Sequence, residues 1–201
     1  MPELPDHIKQ TFFGMMSAQM DIEAFEQWVY TNRDLEEVLP TDDYLELASL
    51  NYKKSGVRYA LFNLLARLVG AGEYETWKLT SLLHAAKVHD VNLPGVLEQF
   101  YDLYCDGYDF LQTLGMGFGL QMCVLPKPFI VEHWRDLQAP ELEQLVKRLP
   151  QLIINHETDI VLRWLEQGTI VLTGERDEIN RYDYIDNRSD AEKARIPQYN
   201  F

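Results

Sequence analysis

The segment Val57-Arg-Tyr-Ala-Leu-Phe-Asn-Leu-Leu-Ala-Arg-Leu-Val69 has the clearest hydrophobic periodicity in this sequence. Its four leucines recur at spacings of three and four residues, as Leu61, Leu64, Leu65 and Leu68. This spacing places them on one face of an α-helix, whereas Arg58 and Arg67 lie off that face. The segment therefore predicts an amphipathic helix that buries one side, and it points to a helical fold class.

Similar helical patterns lie on both sides of this segment. The other predicted helices cover residues 21–31, 41–51, 73–88, 94–108, 140–149 and 157–166, and residues 32–39 form a short helical turn. We take Asp21 as the N-cap of the first of these helices. The pattern predicts a mainly α (α+β) fold of about seven helices.

The C-terminal third also contains β-strand signals. Residues 169–173 are rich in β-branched side chains and lie between glycines, and residues 182–185 repeat the signal after a polar stretch. These two segments predict a small β-hairpin. Residues 121–125 are apolar and precede two prolines, so we expect a strand or an extended connection there. The last dozen residues carry little apolar content and are expected to be loosely held.

Length and composition predict one folded domain. The chain has 201 residues, of which 46% are hydrophobic and 25% are charged, values typical of a globular protein. We expect a single domain over residues 1–201, with a candidate subdomain boundary at 115–128, where glycines and prolines interrupt the helical pattern.

The absence of membrane and secretion signals in the sequence, together with its low cysteine content, predicts a cytoplasmic protein. No apolar run reaches the length of a membrane span, and residues 1–9 do not resemble a secretory signal. Cys105 and Cys123 are too few for a disulfide scaffold, and both are expected to be reduced, buried thiols.

Acidic residues are concentrated in one part of the chain. Nine carboxylates and one base, Arg33, lie between residues 21 and 46, which leaves −8 of the total formal charge of −14. The nine are Asp21, Glu23, Glu26, Asp34, Glu36, Glu37, Asp42, Asp43 and Glu46. Such a surface attracts cationic partners and repels nucleic acid and anionic membranes. Its simplest alternative interpretation is a solvated face that keeps the protein soluble.

Catalytic and cofactor signatures are weak throughout the sequence. Neither the His84 and His89 pair nor His156-Glu157 has the spacing of a metal site, so we predict no metal and no cofactor. The glycines at 115, 117 and 119 follow a helical pattern rather than a strand, which favours close helix packing over a phosphate-binding loop.

Three parts of the sequence carry a resemblance to a known family. They are Phe25-Glu-Gln-Trp-Val-Tyr30 with Leu35-Glu-Glu, Asp43-Tyr-Leu-Glu-Leu47 and Leu50-Asn-Tyr52; Leu103-Tyr-Cys-Asp-Gly-Tyr108-Asp-Phe-Leu-Gln-Thr-Leu-Gly115; and Trp164-Leu-Glu-Gln-Gly-Thr-Ile-Val-Leu-Thr-Gly174 with Tyr184-Ile-Asp186. Together they resemble bacterial immunity proteins encoded beside polymorphic or contact-dependent toxins. The resemblance implies a cytoplasmic, non-catalytic protein that binds a toxin domain, in many cases a nuclease, and blocks it.

The leading hypothesis is an immunity protein whose partner is a basic toxin domain and not nucleic acid or a membrane. Charge and aromaticity select the candidate partner-binding residues, because aromatic anchors supply affinity and charge speeds encounter. They are Glu23, Glu26, Trp28, Glu36, Glu37, Asp42, Asp43 and Tyr44. Tyr30 and Tyr52 are further aromatic neighbours whose rings are expected to be exposed, whereas Trp28 is expected to be a core residue at least in part. Two alternatives stay open: a helical adaptor or regulator, and a hydrolase or transferase that uses Cys105, His133 or His156.

Overall fold

The computed structural model describes residues 4–125, 127–131 and 133–194. These residues form eleven α-helices and one two-stranded sheet. The helices are α1 (Asp6–Met16), α2 (Ile22–Thr31), α3 (Asp34–Val38), α4 (Thr41–Ala48), α5 (Val57–Val69), α6 (Ala71–Ala86), α7 (Leu93–Cys105), α8 (Leu120–Cys123), α9 (Ala139–Arg148), α10 (Gln151–Glu166) and α11 (Asp190–Lys193). The strands are β1 (Ile170–Arg176) and β2 (Tyr182–Asp186).

The mainly α fold with a C-terminal hairpin is confirmed. The structure has eleven helices where about seven were predicted, because the pattern missed α1 and the very short α8 and α11, and the helical turn predicted at residues 32–39 is the short helix α3. Helix α10 also begins earlier than predicted. The extended connection predicted at residues 121–125 is wrong over residues 121–123, which belong to helix α8. None of the helices in the described part of the chain combines the length and apolarity that a membrane span requires.

The chain divides into two compact units, residues 1–74 and 75–201. The division falls inside α6, after its first turn. The single domain over 1–201 and the candidate boundary at 115–128 stay predictions; the latter segment lies within the second unit. The loosely held tail was predicted for a stretch that includes residues 195–201, which lie outside the described residues.

The first unit is built around α1 and α5. The predicted stripe of α5 is buried, and α1 packs against it with its own apolar face. The largest fully buried side chains of this core are those of Ile8, Phe12, Met15, Phe25, Leu35, Leu47, Leu61 and Leu65. Helices α2, α3 and α4 each contribute at least one of them, so the acidic segment is anchored by its own apolar positions.

The core of the second unit is centred on α7 and the π-helical segment Thr113–Gly119 that packs along it. A Cβ on Gly115 would lie 2.8 Å from the Phe100 carbonyl oxygen, and a Cβ on Gly119 would lie 2.8 Å from Tyr101 Cβ. Both positions therefore need glycine so that the two backbones can approach. The glycines serve close helix packing, as the sequence analysis favoured.

The hairpin of the second unit is antiparallel and is held by aromatic side chains. Val171 pairs with Ile185 and Leu172 with Tyr184, in a register that buries Leu172 and exposes Val171. The ring of Tyr182 stacks on that of fully buried Tyr108 at 4.7 Å, and the Tyr182 amide donates a hydrogen bond of 2.7 Å to the Asp106 carbonyl. These contacts fix the hairpin to the C-terminal end of α7.

Candidate partner-binding surface

Helix α2 begins after Asp21, in the N-cap position that the sequence predicted, although the Asp21 side chain makes no capping hydrogen bond. Its buried face carries Phe25 and Val29. Trp28 is half-buried, with its ring 5.6 Å from that of Phe25 and 5.9 Å from that of Phe12. Trp28 is therefore partly a core residue, and only part of its indole faces solvent.

The other predicted aromatic residues differ in exposure. Tyr44 is half-buried, and Tyr30 is 55% exposed. Tyr52 is buried, which corrects the expectation of an exposed ring: it packs beside Phe25 and Tyr30, and its hydroxyl donates a hydrogen bond to the Leu47 carbonyl at 2.9 Å. Burial, together with the nearby Tyr30 and Glu26, raises the pKa of Tyr52. Tyr30 is thus the most accessible aromatic side chain of this segment.

Two of the predicted acidic residues are not freely exposed: Asp43 is paired with an arginine, and Glu26 is half-buried. Asp43 Oδ1 lies 3.1 Å from Arg67 Nη2, and the same nitrogen lies 2.5 Å from Glu46 Oε2. The hydrogen bond to Glu46 and the charge of Asp43 raise the pKa of Arg67. Arg67 links α4 to α5 and neutralises part of the acidic charge. Glu26 is half-buried beside Tyr52.

Four predicted acidic residues remain exposed to solvent: Glu23 on α2, Glu36 and Glu37 on α3, and Asp42 on α4. Within the described part of the chain, no salt bridge neutralises any of the four. Glu36, Glu37 and Asp42 lie in the first turns of their helices, where the helix dipole stabilises negative charge. Because these carboxylates are hydrated and unpaired, an approaching cation displaces no internal partner.

The sequence missed two features that shape this surface. Leu45, two residues after Asp43 on α4, is 55% exposed and adds an apolar side chain to this surface. Arg67 is distant in sequence, and nothing in the spacing shows that it reaches α4. Asp42, Leu45 and the C-cap residue Ser49 follow one another at spacings of three and four residues, which places them on one exposed side of α4, and this spacing was the signal that could have identified Leu45.

The three residues of the enzyme alternative occupy different environments. Cys105 is exposed, which corrects its predicted burial, and its thiol raises the pKa of the neighbouring Tyr101 hydroxyl. His133 Nε2 lies 3.0 Å from Glu98 Oε1, while His156 is exposed on α10. Among the described residues, no hydrogen bond or ion pair joins any two of the three.

The second cysteine lies near the buried carboxylate of Glu98. Glu98 accepts hydrogen bonds from Trp134 Nε1 at 3.1 Å and from both terminal nitrogens of Arg135, in addition to His133. Desolvation and the charges of Glu98 and Asp102 raise the pKa of the Cys123 thiol. A nucleophilic cysteine requires the opposite shift, so this cluster favours a structural role for Cys123.

Known proteins give no further guide to the site. No protein-family model, curated protein or solved structure matches this chain. Among the residues that the structure describes, no group of three or more histidine, cysteine or carboxylate side chains is placed to hold a metal ion. The assignment of the surface on α2 to α4 as a candidate binding site therefore depends only on its charge and its exposure.

Proposed function

We propose that this chain is a non-catalytic immunity protein that binds and neutralises a cationic toxin domain. The observation that carries the proposal is the set of exposed, unpaired carboxylates Glu23, Glu36, Glu37 and Asp42 on three consecutive helices. Exposed Tyr30 and Leu45 add apolar contact area to the same segment. We refer to these six residues as the acidic surface.

The chemistry of a cationic toxin suits this surface. A nuclease presents cationic side chains to the phosphates of its substrate, so an acidic inhibitor can occupy the same groups. Charge complementarity of this kind accelerates encounter, while apolar contacts slow dissociation. The resemblance of the sequence to bacterial immunity proteins supports the same conclusion.

The test compares two variants that change charge equally. The surface variant carries Glu23→Gln, Glu36→Gln, Glu37→Gln and Asp42→Asn. The control variant carries Asp136→Asn, Glu166→Gln, Glu175→Gln and Glu178→Gln, all exposed side chains of the second unit that make no salt bridge within the described residues. Both lose four negative charges, so any difference between them reports position rather than net charge.

Each protein is immobilised and exposed to lysate of the native host at low salt and then at high salt. We expect a basic domain to bind the wild type and the control near one-to-one, to be lost from the surface variant, and to be released by salt. Expressed alone, that domain should arrest growth, and coexpression of the wild type should restore it. Equal retention by the surface variant, or a partner without toxicity, would contradict the proposal.

The adaptor alternative predicts a different result in the same experiment. A helical regulator that uses Trp28 and Tyr44 for self-association would recover its own chain, with no toxic domain. The enzyme alternative predicts that replacing Cys105, His133 and His156 abolishes function. Growth protection that survives all three replacements would exclude it.

A further inference from the structure

An open groove lies between the end of α4 and the start of α5. Its volume is about 350 Å³, and apolar side chains form part of its lining: Leu50, Val57 and Ala60. Ser49, the C-cap residue of α4, and Lys54 lie at the same groove. Leu50 is half-buried and Ala60 is exposed, so solvent reaches apolar surface there. The groove therefore offers a place for an apolar side chain of another molecule.

Leu45 projects from the exposed side of α4. It is 55% exposed, and it lies three residues after Asp42 and four residues before Ser49, on the same side of the helix. Within the described part of the chain, Leu45 does not line the groove of its own copy. A second copy of the protein is therefore needed to bring a Leu45 side chain to this groove.

Opposite charges lie beside the leucine and the groove. Asp42 is separated from Leu45 by about 4.5 Å along the axis of α4, and its exposed carboxylate makes no salt bridge among the described residues. Lys54, at the groove, is also exposed, and its side chain makes no salt bridge or hydrogen bond within the same residues. Glu46, which also lines the groove, is paired with Arg67. Each copy thus has an unpaired carboxylate beside its leucine and an unpaired ammonium group beside its groove.

We propose that the protein forms a symmetric dimer through this face. Leu45 of each copy enters the groove of the other copy, and Asp42 of each copy pairs with Lys54 of the other. A two-fold axis makes the two sets of contacts identical, so each apolar side chain and each charge is used twice. Asp42 and Leu45 also belong to the acidic surface, so a toxin and a second copy compete for the same residues.

Sedimentation velocity of the full-length protein without a toxin is the first test. The interface is small and both copies are acidic, so we expect a weak dimer. The mass should rise from 23.5 kDa toward twice that value between roughly 1 µM and 1 mM protein. No increase in mass over this range would overturn the proposal. Because no toxin takes part, that result would leave the proposed function standing.

The second test removes the leucine from the interface. Leu45→Gln should weaken dimerisation by at least about tenfold, the effect of losing one buried leucine. Leu152→Gln is the matched control, because Leu152 is 85% exposed on α10, and it should dimerise as the wild type does. Equal weakening by both variants, or by neither, would show that Leu45 does not enter the groove.

Charge reversal tests the ion pair. Lys54→Glu alone and Asp42→Lys alone each place like charges opposite one another at both contacts, so neither variant should dimerise. An equimolar mixture of the two restores opposite charges at both contacts and should form a mixed dimer. A mixture that stays monomeric would refute the pairing of Asp42 with Lys54. Leu45 is exposed, so the leucine variant decides the question if a charge-reversed chain fails to fold.

Discussion

Glu98 shows how one buried side chain can organise a loop. The residue is 8% exposed on α7, yet it hydrogen-bonds to three consecutive residues, His133, Trp134 and Arg135. The Trp134 ring also covers Gly95, where a Cβ would lie 3.2 Å from it. A buried carboxylate is stable only when such partners compensate for lost hydration. Glu98 therefore ties residues 133–135 to α7.

Replacing Glu98 should lower the free energy of unfolding. Glu98→Ala leaves the donors of His133, Trp134 and Arg135 without their acceptor, and we expect a loss of about 2–3 kcal/mol, below the full cost for a buried pair because Arg135 is partly solvated. Urea unfolding measures this loss. Glu143→Ala is the control, since Glu143 and Lys147 are exposed and 3.8 Å apart, and it should change stability by less than about 0.5 kcal/mol. Equal effects would show that the Glu98 contacts are not stabilising.

Asp102, one turn further along α7, should destabilise the folded protein at neutral pH. Desolvation and the charges of Glu98 and Asp106 raise its pKa above the ordinary value. A raised folded-state pKa means that the folded protein binds the proton more tightly, so stability is lost as pH rises through that pKa. Its position near the helix C-terminus acts in the same direction.

Asp102→Asn should therefore raise the unfolding temperature at pH 7. The gain should disappear at acidic pH, below the ordinary aspartate pKa, where Asp102 is protonated in both the folded and the unfolded state. Thermal unfolding of wild type and variant across this pH range measures the effect. A gain that is the same at every pH would rule out the electrostatic explanation.

At the scale of elements, the packing of α7 against residues 113–119 depends on two glycines, Gly115 and Gly119, which have no side chain to hold the backbones apart. Gly119→Ala would place a Cβ against the Leu97 carbonyl oxygen and 2.8 Å from Tyr101 Cβ. We expect it to destabilise by about 1–3 kcal/mol through overpacking. Gly14→Ala in α1 is the matched control, because nothing lies within 4 Å of its added Cβ. That change should stabilise by up to about 1 kcal/mol through helix propensity. Chemical denaturation separates the two, and loss of stability in both would contradict the packing argument.

At the scale of the whole molecule, negative charge dominates both units. Residues 1–74 have twelve acidic and six basic side chains, a formal charge of −6, and residues 75–201 have twenty and twelve, a formal charge of −8. The segment 21–46 is thus more acidic than the unit that contains it, because most bases of that unit lie outside the segment. Repulsion among these charges opposes the compact state.

Added salt should therefore raise the unfolding temperature between low and physiological ionic strength, because screening acts over a Debye length of about 8–10 Å. Sodium and potassium chloride should act alike, and scanning calorimetry measures the shift. The surface variant with four amide replacements should show a smaller rise, since it carries less charge to screen. A fall in temperature with salt would mean that attractive pairs, such as Arg67 with Asp43 and Glu46, outweigh the repulsion.

Local periodicity predicted the long helices and the hairpin, but it could not predict very short helices or the exposure of single residues. The α5 stripe, the end of α10 before Gly168 and both strands of the hairpin follow from spacing and turn residues. Short helices such as α8 escaped, because four residues give too little periodicity and their helical state depends on packing. Tyr52 and Cys105 were assigned the wrong exposure for a similar reason, since exposure is decided by distant neighbours.

By itself, the sequence determined the helical class, the C-terminal hairpin and the acidic character of residues 21–46. Each of these depends on covalent chemistry or on neighbours within a few residues. Only the tertiary structure decided which carboxylates are free, because Arg67 reaches Asp43 from 24 residues away. It alone brought Glu98 to residues 133–135. Ion pairs join residues that chain folding brings together, and local spacing carries no record of that proximity.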